Sequence, residues 1–241
     1  MEPIFVQALR FAGAELLLDL SGALFMPAKR ILAVADLHFE KGSGYARSGQ
    51  FLPPYDTALT LRRLSWVIQR FRPETVLALG DSFHDAEAPL RLSPADAAVL
   101  KRLTGACDFI WIGGNHDPQP PAHLGGRGAS HWPAGKINFR HQPERIEEIE
   151  IVGHFHPVAA LSVRGRGMRR RCFAVAKKRL VLPAFGAYVG GLNVLDRALA
   201  PVLGGGCEIF ALGRQRLHRL APGQLHADPP SLGAPPKRQA G

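Results

Sequence analysis

Six of the ten histidines in this sequence stand in five short segments, three of which also carry aspartate or asparagine. In chain order these are Asp36-Leu37-His38, Gly80-Asp81-Ser82-Phe83-His84-Asp85, Gly113-Gly114-Asn115-His116-Asp117, His141 and Gly153-His154-Phe155-His156. Taken singly, each is an ordinary turn, because Gly, Asn and Asp all suit turn geometry. Histidine does not, and the recurrence of the same donor types points to a metal site. Aspartate carboxylates with neutral imidazoles and no thiolates suit a borderline divalent ion such as Mn²⁺, Fe²⁺ or Zn²⁺. The donors are more numerous than one ion accepts while keeping positions open for water and substrate. Two ions about 3.5–4 Å apart, sharing one carboxylate, would use them all. Such a pair orients a phosphate, activates water and stabilises charge on the attacking and leaving oxygens. Glycines directly before Asp81, Asn115 and His154 let the chain turn sharply there.

Each segment follows an apolar run that reads as a buried strand, over residues 31–35, 75–79, 109–112, 136–140 and 149–152. In α/β domains functional residues gather at the carboxyl ends of such strands. Residues 4–11 and 15–20 flank Gly13 as a hairpin, followed by a short strand at 23–26. Residues 56–71 carry Leu61, Leu64, Ile68 and Phe71 on one helical face. Ser93-Pro94-Ala95-Asp96 is a helix start, and that helix should run to about Leu103. After His156 the pattern turns β-rich, at 159–163, 172–176, 180–182 and 207–212. The expected architecture is an α/β layered domain with mixed sheets over residues 1–220. The Pro/Gly/Ala-rich residues 221–241 are expected to be a disordered tail.

At 241 residues, the chain is long enough for a substantial core. Its net charge of +10 is unevenly spread. Residues 1–159 hold 16 basic and 17 acidic side chains, whereas residues 160–241 hold 14 and 3. So lopsided a block implies a polyanionic partner, or else a solubilising basic face. Three cysteines at unrelated spacings (Cys107, Cys172, Cys207) argue against a disulfide framework and for small core residues in a reducing cytoplasm. No apolar run is long enough to span a membrane, and the first residues lack the apolar core of a signal peptide.

The ordered set Asp-x-His, Gly-Asp, Gly-Asn-His-Asp, His, Gly-His-x-His resembles that of the calcineurin-like metallophosphoesterases, and every block is present here. The resemblance implies a sandwich of two mixed β-sheets flanked by helices. It implies that Asp36, His38, Asp81 and His156 hold a first divalent ion, with Asp81 bridging. Asn115, His141 and His154 would complete a second. His116 would be the catalytic histidine near the leaving oxygen, oriented by Asp117. Four further segments resemble the DNA ligase-associated DNA damage response endonuclease branch of that family. They are Asp36-Leu37-His38-Phe39-Glu40-Lys41-Gly42, Leu52-Pro53-Pro54-Tyr55-Asp56-Thr57, Gly153-His154-Phe155-His156-Pro157 and Leu182-Pro183-Ala184-Phe185-Gly186-Ala187-Tyr188. That branch implies a bacterial, Mn²⁺-dependent DNA endonuclease of DNA repair, preferring single-stranded or flexible DNA and functionally associated with a DNA ligase.

Outside these blocks, Arg164, Arg166, Arg169, Arg170 and Arg171 form the densest basic cluster, close after His156. They would track a nucleic-acid backbone, or form a solvated hairpin turn. Glu40 and Lys41 either reach substrate phosphate or pair with each other in solvent, and the structural role is the expectation. His84 and Asp85 are either partners that orient a ligand or plain loop residues. His123, His131, His218 and His226 read as surface residues, and Phe185 and Tyr188 as core rather than base-stacking groups. Two other activities remain open: a small-molecule phosphoesterase acting on a cyclic nucleotide or nucleotide-sugar pyrophosphate, and a non-catalytic scaffold. The large C-terminal charge counts against the first, and the complete donor set against the second.

Overall fold

Three parallel strands organise the first half of the chain. They are β4 (Ile31–Val34), β5 (Thr75–Leu79) and β6 (Asp108–Ile112), with registers Val34–Ala78 and Leu79–Ile112. The computed structural model describes residues 5–119, 121–144 and 147–228. Side chains in each of the three strands alternate strictly between two environments, as the two-residue period of a strand requires. Ala33, Leu77, Leu79, Ile110 and Ile112 enter one core cluster, and Leu32, Val34, Val76, Ala78, Phe109 and Trp111 enter another.

The sheet around them has seven strands, in the order β1 (Val6–Phe11), β2 (Ala14–Asp19), β3 (Leu24–Met26), β4, β5, β6 and β7 (Arg127–Ala129). Its outer face is covered by helices α2 (Asp56–Phe71) and α4 (Pro94–Gly105), which supply Leu61, Leu64, Val67, Ile68 and Leu100. The Ser93 hydroxyl caps α4 by accepting from the Asp96 amide at 3.0 Å.

Among the described residues the second sheet has nine strands. Its main path runs through β14 (Leu192–Asn193), β11 (Pro157–Val163), β12 (Arg166–Val175), β13 (Arg179–Val181), β10 (Ile149–Val152), β9 (Ile137–Arg140) and β8 (Trp132–Ala134). Strand β15 (Glu208–Leu212) adds to β12, and β16 (Leu217–Leu220) adds to β15. Phe139, Ile151, Phe173, Leu180 and Phe210 face Leu16, Leu24, Leu77 and Ile110 of the first sheet in one continuous core. The outer face packs on the short helix α5 (Ala200–Leu203). This is the expected two-sheet α/β sandwich.

Differences from the sequence reading fall where tertiary contacts outweigh local pattern. Helices α1 (Lys41–Arg47) and α3 (Ala88–Arg91) were not foreseen. A seven-residue helix with two glycines is unstable by itself, and α1 is held by its neighbours instead. Strand β12 begins at Arg166, so most of the arginine run lies in a strand rather than a turn. Pairing with Val158–Val163 of β11 extends it. Of the expected tail, residues 221–228 are placed: Pro222–Gln224 forms a 3-10 turn and the His226 amide donates to the Ala160 carbonyl at 2.9 Å. Residues 229–241, and residue 4 of the expected first strand, lie outside the described residues. Among the described residues, no helix is long and apolar enough to cross a membrane.

Phe173 is fully buried between the sheets. Phe173→Ala should lower unfolding free energy by about 3–5 kcal/mol, measurable by denaturant titration.

Candidate metal centre

The strands that carry the donors end together because they run parallel. Beyond the ends of β4 and β5 the pairing continues through the backbone. The Asp36 amide donates to the Gly80 carbonyl (3.2 Å), the His38 amide to Asp81 (2.9 Å) and the Phe39 amide to Ser82 (2.8 Å). In the second sheet, the Gly153 amide donates to the His141 carbonyl at 3.1 Å, past the ends of β9 and β10. The two sheets are joined at this edge. The His154 amide donates to both carboxylate oxygens of Asp36, at 3.1 and 3.0 Å.

Five of the donor residues sit in the left-handed backbone region: Asp36, His38, Asp81, His154 and His156, with φ of 55, 44, 45, 67 and 46°. Each such residue costs about 1–2 kcal/mol, and this strain persists only where surrounding structure dictates it. Two glycines make room for the turn. A Cβ on Gly80 would lie 2.4 Å from the His141 ring, and one on Gly114 would lie 2.2 Å from the Asp81 amide nitrogen.

The outcome is two donor groups, Asp36–His38–His156 and Asp81–His141–His154, each with its donor atoms within 4.8 Å of one another. Asp81 faces both. Its carboxylate lies 3.9 Å from His38 Nε2 on one side and 3.4 Å from His141 Nε2 on the other. Asn115 belongs to the second group, with Oδ1 3.0 Å from His141 Nε2.

The donors fit divalent cations on their own chemistry. His141 Nδ1 lies 2.9 Å from the Leu79 carbonyl, which can only accept, so Nδ1 carries the proton and Nε2 the lone pair in the neutral ring. That lone pair then faces oxygen atoms of Asn115 and Asp81, a repulsive arrangement that a cation reverses. Among the described residues the buried His156 Nε2 has no hydrogen-bond partner, and it lies 3.2 Å from Asp36 Oδ1. Both ring nitrogens of buried His38 also lack partners. Burial, reinforced by His156, His116 and His84, pushes the His38 imidazole down to about 2, and burial likewise lowers His154. Both rings are therefore held in the neutral form that ligates metals.

His116 stands at the mouth of this cluster with its side chain 42% exposed. Its Nδ1 is 2.8 Å from the His84 carbonyl and its Nε2 is 3.9 Å from Asp81. The expectation that Asp117 orients this ring is corrected here. Asp117 Oδ2 accepts instead from the Ser82 and Phe83 amides, at 2.8 and 3.0 Å, and so pins the loop that carries Asp81. The His116 ring is aimed by a main-chain carbonyl, for which a sequence has no side-chain signal. Burial pushes the Asp117 carboxyl up to about 7.

Two of the five clustered arginines are spent within the fold. Arg171 Nη1 donates to the Ala184 carbonyl at 2.7 Å, next to Phe185, whose carbonyl also accepts from Arg63 at 2.5 Å. Burial lowers the Arg171 guanidinium to about 10, so this residue props a loop rather than facing solvent. Arg169 pairs with Asp228 and the Gly191 carbonyl. Arg164 and Arg166 lie at the hairpin tip, one seven-residue strand from His156, or about 20 Å at strand rise. Arg170 is half-buried. Glu40 and Lys41 do not pair: Glu40 accepts from the Ser43 and Thr57 hydroxyls. Asp85 forms a two-point ion pair with Arg91. Phe185 is core, as expected, whereas Tyr188 is exposed.

Gln142, missed in the sequence, donates to Asn115 Oδ1 (3.2 Å) and lies 3.3 Å from His154 Nδ1. Its only signal was its place directly after a donor at a strand end. With Asn115, His131 and His141 it lines a cleft of about 610 Å³ beside the second group.

A two-sheet sandwich with two Asp/His donor groups at one edge defines a class, that of metal-dependent phosphoesterases. The calcineurin-like phosphoesterase family matches residues 29–174, and this chain belongs to it. Among solved structures, it is similar to the nuclease MPE of Pseudomonas putida, with TM-score 0.70 and 26% identity, over 89% of this chain and 100% of that one. A phosphoesterase of E. coli, Yfce, matches at TM-score 0.40 and 12% identity, over 79% of this chain and 98% of that one. No curated protein sequence matches.

Asp117→Ala should strand two amides, each worth about 1–3 kcal/mol when buried and unpaired. Calorimetric titration should show weakened Mn²⁺ binding in Asp117→Ala, whereas Asp117→Asn, which keeps an oxygen acceptor, should largely retain the wild-type affinity. Unaltered metal affinity in Asp117→Ala would refute the pinning role.

Proposed function

We propose that this chain is a Mn²⁺-dependent endonuclease that hydrolyses DNA phosphodiester bonds, acting on single-stranded or flexible regions in bacterial DNA repair. The observation that carries the reading is the pair of donor groups beside a half-exposed histidine. The likeness to a nuclease along the whole of that protein supports a nucleic acid as the substrate. The basic second part of the chain supports a polyanion. A cytoplasmic location, which rests on the cysteine usage, and a functional association with a DNA ligase, which rests on the sequence resemblance, complete the proposal.

Asp36, His38, Asp81 and His156 would hold one ion, and Asn115, His141 and His154 the other, with Asp81 shared. When bound, the ions supply Lewis-acid activation of the phosphate and of water. The protein's own task is to place and protonate. Asp81, tied by the His116 amide at 3.0 Å, keeps the donor groups and the catalytic histidine in one frame. With Nδ1 committed to the His84 carbonyl, a protonated His116 carries its second proton on Nε2, toward the donor groups. There it would donate to the departing oxygen.

The direct test is incubation with Mn²⁺ and circular single-stranded DNA, beside a chromogenic diester. Linearisation of the circle is expected, since a molecule without ends can only be cut internally. Hydrolysis of the diester with the circle left intact would overturn the reading. For His116→Ala, cleavage of diesters with poor leaving groups should fall by roughly 10²–10⁴. A nitrophenolate leaving group, which needs no proton, should lose far less, while metal content stays constant. Equal losses on both would remove the proton-donor role.

A further inference from the structure

Lys41 opens helix α1 directly after the first donor motif, yet neither the donor groups nor the proton transfer uses it. Its ammonium lies 5.5 Å from the centre of the Tyr45 ring. Tyr45 stacks on His84 at 5.5 Å, and His84 stacks on His116 at 5.8 Å with the rings 20° from parallel. A row of three rings thus joins the ammonium to the catalytic histidine.

The carboxylates around it are committed elsewhere. Glu40 accepts from Ser43 and Thr57. Asp56 accepts from the Gly42 amide at 3.0 Å, and Asp85 is bound by Arg91. Among the described residues no ion pair includes Lys41. Burial lowers its pKa, with Asp56 acting in the opposite direction. A partly desolvated cation without a carboxylate is costly, and an aromatic face is a weak substitute that leaves its N–H donors available.

The mount is rigid. Glu40 is in the left-handed region at φ 64°, and a Cβ on Gly42 would lie 2.9 Å from Asp56 Oδ1. Arg91 Nε donates to Ser43 Oγ at 2.9 Å, tying α1 to α3.

We propose that Lys41 binds a phosphate that flanks the reacting one on a polynucleotide. This deepens the DNA reading above and rests on it. The reacting phosphate belongs between the donor groups and His116, and the rings of His84 and Tyr45 separate His116 from Lys41. The partner of this ammonium is therefore a second anion of the same ligand. A polynucleotide carries one, and a simple diester does not.

The test uses the full chain with Mn²⁺ and compares Lys41→Met and Lys41→Arg with the wild type. The quantity read is the ratio of kcat/KM on a single-stranded oligonucleotide to that on bis(p-nitrophenyl) phosphate. In Lys41→Met the ratio should fall about tenfold or more, as loss of one charge-assisted hydrogen bond implies, with the change in KM. The dependence of log affinity on log salt should become shallower by about 0.7. Lys41→Arg should restore most of the ratio, and melting temperatures should agree among the three proteins. If the wild type cuts DNA and Lys41→Met keeps the wild-type ratio, the proposal fails alone. Equal losses on both substrates also overturn it, placing Lys41 at the reacting phosphate or in folding. If the wild type hydrolyses the diester but leaves DNA intact, the DNA reading fails first and this proposal with it.

Discussion

The contact on which this structure turns is the one between the His154 amide and the Asp36 carboxylate. Asp36 ends a strand of the first sheet, and His154 follows a strand of the second. A fully buried carboxylate that accepts two-point hydrogen bonding from the opposite sheet locks the two layers at one edge. Around it, four more donors adopt backbone angles that side chains normally avoid. The continuous core of Leu77, Ile110, Phe139, Ile151 and Phe173 behind them supplies the rigidity that holds that strain.

Electrostatics sets the character of the site. Buried carboxylates and imidazole lone pairs face each other at 3.2–3.9 Å with few donors between them. Such an arrangement costs stability by itself and returns it when cations bind. Membership of the calcineurin-like phosphoesterases and the two donor groups describe the same requirement from two directions. Residues outside the first circle support it through the main chain: Asp117 through the Ser82 and Phe83 amides, His84 through its carbonyl, and Arg171 and Arg63 through the carbonyls of the 184–185 segment. The last segment pairs with the Ala35 carbonyl, immediately before Asp36.

The sequence by itself determined the parallel strands, the two principal helices and the donor set. Those elements rest on local alternation and capping, and on residue types that few other roles would gather at five strand ends. Strands β5 and β10 and helix α2 lie where periodicity put them. Only the tertiary structure decided how the remaining charges are spent. Nothing in the sequence marks Asp117 and Arg171 as interior props rather than groups free to meet a ligand. The choice was made by main-chain groups of distant segments that left hydrogen-bonding atoms to be satisfied in the interior. Main-chain groups are the same at every residue, so no pattern of side chains announces which one will be left over. The same reason hid α1, whose seven residues form a helix only because Asp56, Thr57 and Arg91 hold it.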